Sequence, residues 1–324
     1  MRKNKLLFFI YSILFSLFFF SPLLGYTLTL SPNRPTIGLA LGEGGMRGFV
    51  HIGVIKELLS EGYNINYIAG TSIGSMVGGL YALWGDIDKV EDFMLNLDFD
   101  DFIKIGTNNL KFKNFGNQPY LTLYFDLLNK KTKISFLSGI ISSIKIRDAF
   151  DEITNRAIID YELSLPYKAV ATDLISGKKI TIGSGRLSNA IAGSICVPGF
   201  FTPLPYGKMY LIDGGIKDPV PIDIVKEMGA DITIAVALRG ISTNEKVSVD
   251  NAVSIIERSM FIMIEDKTKE SIKNADILIA PKLKVKSLNF DISKGEREKL
   301  IELGEKEMKK ALPLLERKLK NKRK

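Results

Sequence analysis

The sequence predicts an α/β fold built on a mainly parallel central sheet. Three observations carry that expectation. Short apolar, β-branched runs alternate with longer segments of helical period from Pro35 onward. The first two runs each lead through glycine-bearing turns into a helix, the opening of a parallel sheet. The composition, 46% apolar and 25% charged over 324 residues, is that of a globular chain with ample material for a buried core.

The elements follow in order. Thr36–Leu41 reads as a buried strand, and Gly42–Gly48 as a glycine-rich loop. Val50, Val54, Ile55 and Leu58 recur at helical spacing up to Gly62. Ile65–Ala69 reads as a second strand, Gly70–Gly74 as a sharp turn, and Ser75–Trp84 as a helix. Asp86 caps a helix running to Leu97. Residues 98–145 mix aromatics with Lys and Asn and show no sustained period beyond a strand at Tyr120–Phe125. Arg147–Arg156 reads as a helix. Tyr167–Ala171 and Lys179–Ile182 read as a strand pair bridged by Ser176-Gly177. Leu187–Ser194 is a helix, Met209–Ile212 a strand running into Asp213-Gly214-Gly215, and Asp223–Met228 a short helix. Ile232–Leu238 is a strand, Ala252–Ser271 a long helix, Asp276–Ala280 a strand, and Lys294–Lys320 a final helix interrupted at Pro313.

Composition narrows the chemistry. The chain has one Cys, Cys196, and one His, His51, so an intrachain disulfide and a Cys/His zinc cage are both excluded. No metal site is expected. The formal charge of +8 lies at the ends: Arg2, Lys3 and Lys5 at one, eight Lys or Arg against the single Glu316 in 309–324 at the other, leaving 6–308 at −2. A nucleic-acid binder carries its basic face on its body, so that class is set aside. Leu6–Phe20 is uncharged and follows the basic cluster, the pattern of an export signal. The apolar run to Leu30 also suffices for a span of ~20 residues. Residues 1–30 therefore read as a cleaved signal or a retained anchor, and either places the body outside the cytoplasm.

Three motifs carry chemistry. In Gly70-Thr71-Ser72-Ile73-Gly74 a strand-to-helix turn lifts the Ser72 hydroxyl out of the sheet, and Gly70 and Gly74 remove the Cβ atoms that would collide with nearby backbone. The competing reading is a small-residue turn made for close helix packing. In Gly42–Gly48 backbone N–H groups converge to hold an anion at a helix N-terminus. Nucleotide binding fails there on spacing, since Arg47 stands where a third glycine is needed and no Gly-Lys-Ser/Thr follows. Asp213-Gly214-Gly215 puts a carboxylate at a strand end, or is simply an Asp-Gly turn. A serine nucleophile needs a base. His51 lies on the helix leaving the glycine loop and reads as a packing or helix-side hydrogen-bonding residue. Asp213 is then the better base, in a Ser-Asp dyad.

These motifs in this order, with Asn189–Phe201 (NAIAGSICVPGFF) between the second and third strands that carry them, resemble the patatin-like phospholipase family, and its bacterial branch in the order of elements from about 36 to 310. The resemblance implies a three-layer α/β/α fold for 31–310 and hydrolysis of lipid acyl esters without a cofactor. It implies Ser72 as nucleophile and Asp213 as base. It implies an oxyanion hole from the N–H groups of Gly44 and Gly45, with Ile73 adding one. Gly42, Arg47, Gly48, Gly70, Gly74, Gly214 and Gly215 support the motifs, Arg47 structurally. Glu43 departs from the family's run of glycines, and its side chain is expected to point away from the anion site, onto an Arg or Lys.

The function this predicts is an exported serine lipid acyl hydrolase of the phospholipase A or lysophospholipase type. Its partners would be phospholipid or lysophospholipid and a membrane surface. An acyltransferase on the same dyad and a non-catalytic lipid-binding protein are the alternatives. Residues 98–145 read either as a cap touching lipid or as a core-covering insertion with solvated lysines. The basic tail 311–324 reads either as a contact for anionic lipid or as a solvated helix end.

Overall fold

The computed structural model describes residues 35–98, 141–238, 252–285 and 292–322. The expected strand at Tyr120–Phe125 and the segments 1–30 and 99–140 lie outside the described residues. The chain opens on β1 (Ile37–Leu41), a 3-10 turn (Gly45–Gly48), α1 (Phe49–Ser60), β2 (Tyr67–Thr71), α2 (Ile73–Trp84) and α3 (Ile87–Asn96). It resumes with α4 (Ser143–Ile153), α5 (Ile159–Glu162), β3 (Tyr167–Asp173), β4 (Lys179–Ile182), α6 (Leu187–Ile195), β5 (Leu204–Tyr206) and β6 (Met209–Asp213). A 3-10 turn (Gly214–Ile216), α7 (Ile222–Glu227), β7 (Ile232–Val236), α8 (Ala252–Ser271), β8 (Ile277–Ile279) and α9 (Lys294–Lys322) complete it.

The sheet order is β5-β6-β3-β2-β1-β7-β8, with β4 also paired to β3. β3, β2, β1, β7 and β8 run parallel, while β4 and β6 pair antiparallel with β3. The alternation of side chains along the central strands explains the layers. Leu39, Leu41, Ile68, Ala169, Ala171, Ile234 and Val236 face one core, together with side chains of α1, α2, α4, α6 and α9. Ala40, Ala69, Val170 and Ala235 face the other, against α7. The second face is mostly alanine, which lets the short α7 pack close. Strands buried on both faces read as unbroken apolar runs, as Ile37–Leu41 does.

Several boundaries differ from expectation for identifiable reasons. β2 does not stop at Ala69 but includes Gly70 and Thr71, which pair with Ala169 and Val170, so the turn contracts to Ser72 alone. α4 starts at Ser143 and ends at Ile153, because Asn155 and Arg156 adopt left-handed φ of 49° and 59°. β5 was not evident because it contains Pro205, which a sheet edge tolerates. α9 is not interrupted at Pro313. That residue lies on the exposed side of the helix, where water can satisfy the carbonyl its ring deprives of a donor. Residues 311–322, expected as a basic tail, are the end of this helix, with Leu312, Leu315 and Leu319 in the core. Among the described residues, no helix is long and apolar enough to cross a membrane.

Candidate active site

Register positions the site. Thr71 pairs with Val170, so the next residue, Ser72, stands level with Ala171. Ala171 in turn pairs with Asp213 across the other edge of β3. Ser72 and Asp213 thus flank one strand at the same height, and their side chains meet above it. Ser72 Oγ donates to Asp213 Oδ2 at 2.6 Å, and both residues are buried.

Ser72 has φ 53° and ψ −124°, a conformation that side chains seldom adopt and that costs about 1–3 kcal/mol. The surroundings hold it there. Its N–H donates to Ser194 Oγ at 2.9 Å, and Ser194 Oγ donates to Val170 O at 2.5 Å. Its carbonyl accepts from Ser75 Oγ at 2.7 Å. A Cβ on Gly74 would lie 2.1 Å from Leu41 O and 2.8 Å from Gly42 O, so only glycine lets the start of α2 sit against the end of β1. Gly70 lies in β2 opposite Leu41.

Asp213 is fixed as firmly. Gly215 N donates to its Oδ1 at 2.8 Å, leaving Oδ2 directed at the serine. Its own N–H donates to Cys196 O, and its carbonyl accepts from Thr172 Oγ1. Gly214 opens the 3-10 turn that bends the chain away from β6. Thr71 Oγ1 donates to Asp218 O at 2.8 Å, tying the serine strand to the aspartate loop. Burial raises the pKa of the Asp218 carboxyl, which pairs with Lys179 at 2.9 Å.

The glycine loop follows β1, the neighbour of β2, as the sequence implies. Gly42 N donates to Val236 O and Glu43 N to Pro219 O. Among the described residues, no hydrogen bond is formed by the N–H groups of Gly44, Gly45 and Ile73. Gly48 packs on Ile73. Arg47 is buried, and its Nε donates to Val285 O at 2.6 Å. Glu43 is buried, and its Cγ would lie 3.1 Å from a Cβ on Gly215.

His51 is fully buried, with Nε2 2.8 Å from Gly42 O. A carbonyl only accepts, so Nε2 carries the proton. Burial lowers the His51 pKa from 6.5 to about 4. The imidazole is therefore neutral near pH 7 and braces the glycine loop, apart from the serine–aspartate pair. Ser194, Thr71 and Asp218 were not singled out from the sequence. Ser194 sits in Asn189–Phe201, where a serine after Gly193 in the matched segment was the available signal. Among the described residues, no group of three or more His, Cys, Asp or Glu is placed to hold a metal ion.

Residues 39–226 match a family model described as patatin-like phospholipase. An uncharacterized NTE family protein of Mycobacterium bovis is 36% identical over 208 residues, 64% of this chain and 50% of that protein. Lysophospholipase NTE1 of Yarrowia lipolytica is 30% identical over 218 residues, 67% of this chain and 14% of its own length. The matched regions thus span half or less of these curated relatives. Among solved structures, VipD from Legionella pneumophila superposes with a TM-score of 0.53 at 16% identity, covering 87% of this chain and 67% of VipD. That likeness is one of fold.

Proposed function

The chain belongs to the patatin-like phospholipase family, and on that premise we propose that it is a serine acyl hydrolase acting on phospholipid or lysophospholipid. The observation that carries the proposal is the 2.6 Å hydrogen bond from Ser72 Oγ to Asp213 Oδ2 at the end of a strand. In this reading Asp213 Oδ2 takes the Ser72 proton as Oγ attacks the ester carbonyl carbon. The carbonyl oxygen becomes an oxyanion, held by the N–H groups of Gly44, Gly45 and Ile73. Removing one such donor typically costs roughly 2.7–4 kcal/mol in the transition state. The leaving alcohol departs with the proton from Asp213. Water then attacks the acyl-serine, Asp213 accepts a proton from it, and the fatty acid leaves as Ser72 regains its hydrogen. The name of the Yarrowia relative supports a lysophospholipid among the substrates. The basic cluster before Leu6–Leu30 supports a body exported across the membrane.

Full-length protein incubated with mixed phospholipids should release fatty acids detectable by mass spectrometry, and a fluorophosphonate probe should label Ser72. Ser72→Ala abolishes both. Asp213→Asn, which keeps the shape and removes the base, lowers release at least about 1000-fold. Release that persists in Ser72→Ala would overturn the proposal.

A further inference from the structure

We propose that the tips of the β3–β4 and β5–β6 hairpins form the lipid-contacting surface that presents the site to a membrane of anionic lipid. The inference rests on the lipid-hydrolase reading for its purpose and on geometry for its place. β3 continues past the level of Ser72 and Asp213, and Leu174 follows three residues after Ala171, roughly 10 Å further along the strand direction. β6 runs antiparallel to it, so the β5–β6 turn projects from the same end. The two tips stand side by side, since Leu174 N donates to Tyr210 O at 2.8 Å.

What these tips expose is out of pattern for solvent. Leu174 is 53%, Ile175 68% and Tyr210 48% exposed. Turn positions ordinarily hold Gly, Asn, Asp, Ser or Pro. Here two branched aliphatics occupy the turn, and the turn is built to hold them out. The Asp173 carboxylate accepts from Ile175 N, Ser176 N, Ser176 Oγ and Tyr210 N, which locks both hairpins. Those bonds hold its pKa below the usual carboxylate range.

Charge selects the partner. Segments 174–182 and 204–212 hold three lysines and no acid. Lys179 is paired with Asp218, while Lys178 and Lys208 lie exposed at the tips and Lys217 is exposed just past Asp213. Protein–protein interfaces deplete lysine. Apolar tips between lysines suit the boundary of acyl chains and anionic headgroups instead. The surface lies where an ester drawn from a bilayer would enter.

Cys196, the single cysteine, is buried and donates to Ala192 O, and burial pushes its thiol pKa up, so one new exposed cysteine can be labelled alone. Full-length Ile175→Cys carries an environment-sensitive fluorophore, with Glu61→Cys, at the opposite end of β2, as reference. Vesicles of phosphatidylcholine with phosphatidylglycerol should blue-shift the label at 175 and leave the label at 61 unmoved, and phosphatidylcholine alone should act more weakly. The double variant Leu174→Asp/Ile175→Asp should lose at least about fivefold more turnover on those vesicles than on a water-soluble short-chain ester. An unshifted label at 175, or equal losses on both substrates, overturns the surface. A parent that binds vesicles through the label site but hydrolyses no ester would refute the hydrolase reading and leave the surface standing.

Discussion

Ser72 occupies a costly backbone conformation because several bonds converge on it, among them the bond from its amide to Ser194 Oγ. Ser194→Ala would leave a buried N–H without an acceptor, costing about 1–3 kcal/mol in urea unfolding. It would also let the hydroxyl drift from Asp213. The expected result is kcat down about tenfold or more with KM within about twofold. A change confined to KM would mean the bond serves substrate binding. His51 offers a second test at this scale. The unfolded chain protonates it near 6.5 and the folded chain near 4. As pH falls from 6.5 towards 4 the unfolded state therefore takes up a proton that the native state refuses. Stability present above 6.5 is lost through that window, by about 3 kcal/mol in all. His51→Gln keeps a donor for Gly42 O and removes the titration. Its stability, followed by urea denaturation at pH 7 and 4.5, should fall less than that of the parent. Parallel losses would show that His51 does not titrate as its burial implies.

Elements meet at distances set by their smallest residues. α1 and α9 cross at Gly53 and Gly304: a Cβ on Gly53 would lie 1.9 Å from Ile301 O, and one on Gly304 2.2 Å from Val50 O. Gly304→Ala favours the isolated helix by propensity, yet forces the two helices apart. It should destabilise the protein by about 2–4 kcal/mol, read as a drop of several degrees in Tm. A rise in Tm would show that the helices can separate without loss. That crossing was not legible in the sequence, because a glycine inside a helix names no partner. The turn at Ser72 and the loop at Gly42–Gly48 were legible, because each couples a strand end to a helix start through glycines spaced for one backbone geometry. Lys179–Ile182 was legible as a strand for a similar local reason, being short, alternating and led by a turn. Asp213 was legible as a candidate from its Asp-Gly-Gly turn at a strand end, and became the better base once His51 was set aside. Its partner bonds to Gly215 and Thr172 come from turn and strand pairing, which no local pattern records. Pro313 misled in the opposite direction, since its effect on a helix depends on which side faces water.

Among the described residues, α1, α2, α4, α6 and α9 form a thick layer on one face of the sheet, and α7 packs on the other. α9 closes the thick layer against α1, and its last turns contribute Leu312, Leu315 and Leu319 to the main core. Basic residues alternate with these leucines. Lys318 pairs with Asp276 at 3.1 Å and Lys309 reaches Glu57 at 3.7 Å. The end of the chain therefore carries charge on one side and core on the other. Burial of the three leucines contributes roughly 5–9 kcal/mol gross, comparable to the whole stability of a typical domain at about 5–15 kcal/mol. Deleting 309–324 should thus yield a chain that lacks a cooperative melt and is cut readily by protease. Replacing only exposed charges, as in Lys320→Gln/Lys322→Gln, leaves the leucines in place and should keep Tm within about 2 °C. The pair separates the two roles. Loss of vesicle affinity in the charge variant at an unchanged Tm assigns the helix end to the membrane as well as to the core. Unchanged affinity assigns it to the core alone. A truncated chain that melts like the parent would mean that the apolar face of α9 beyond Met308 is dispensable, against the burial of all three leucines.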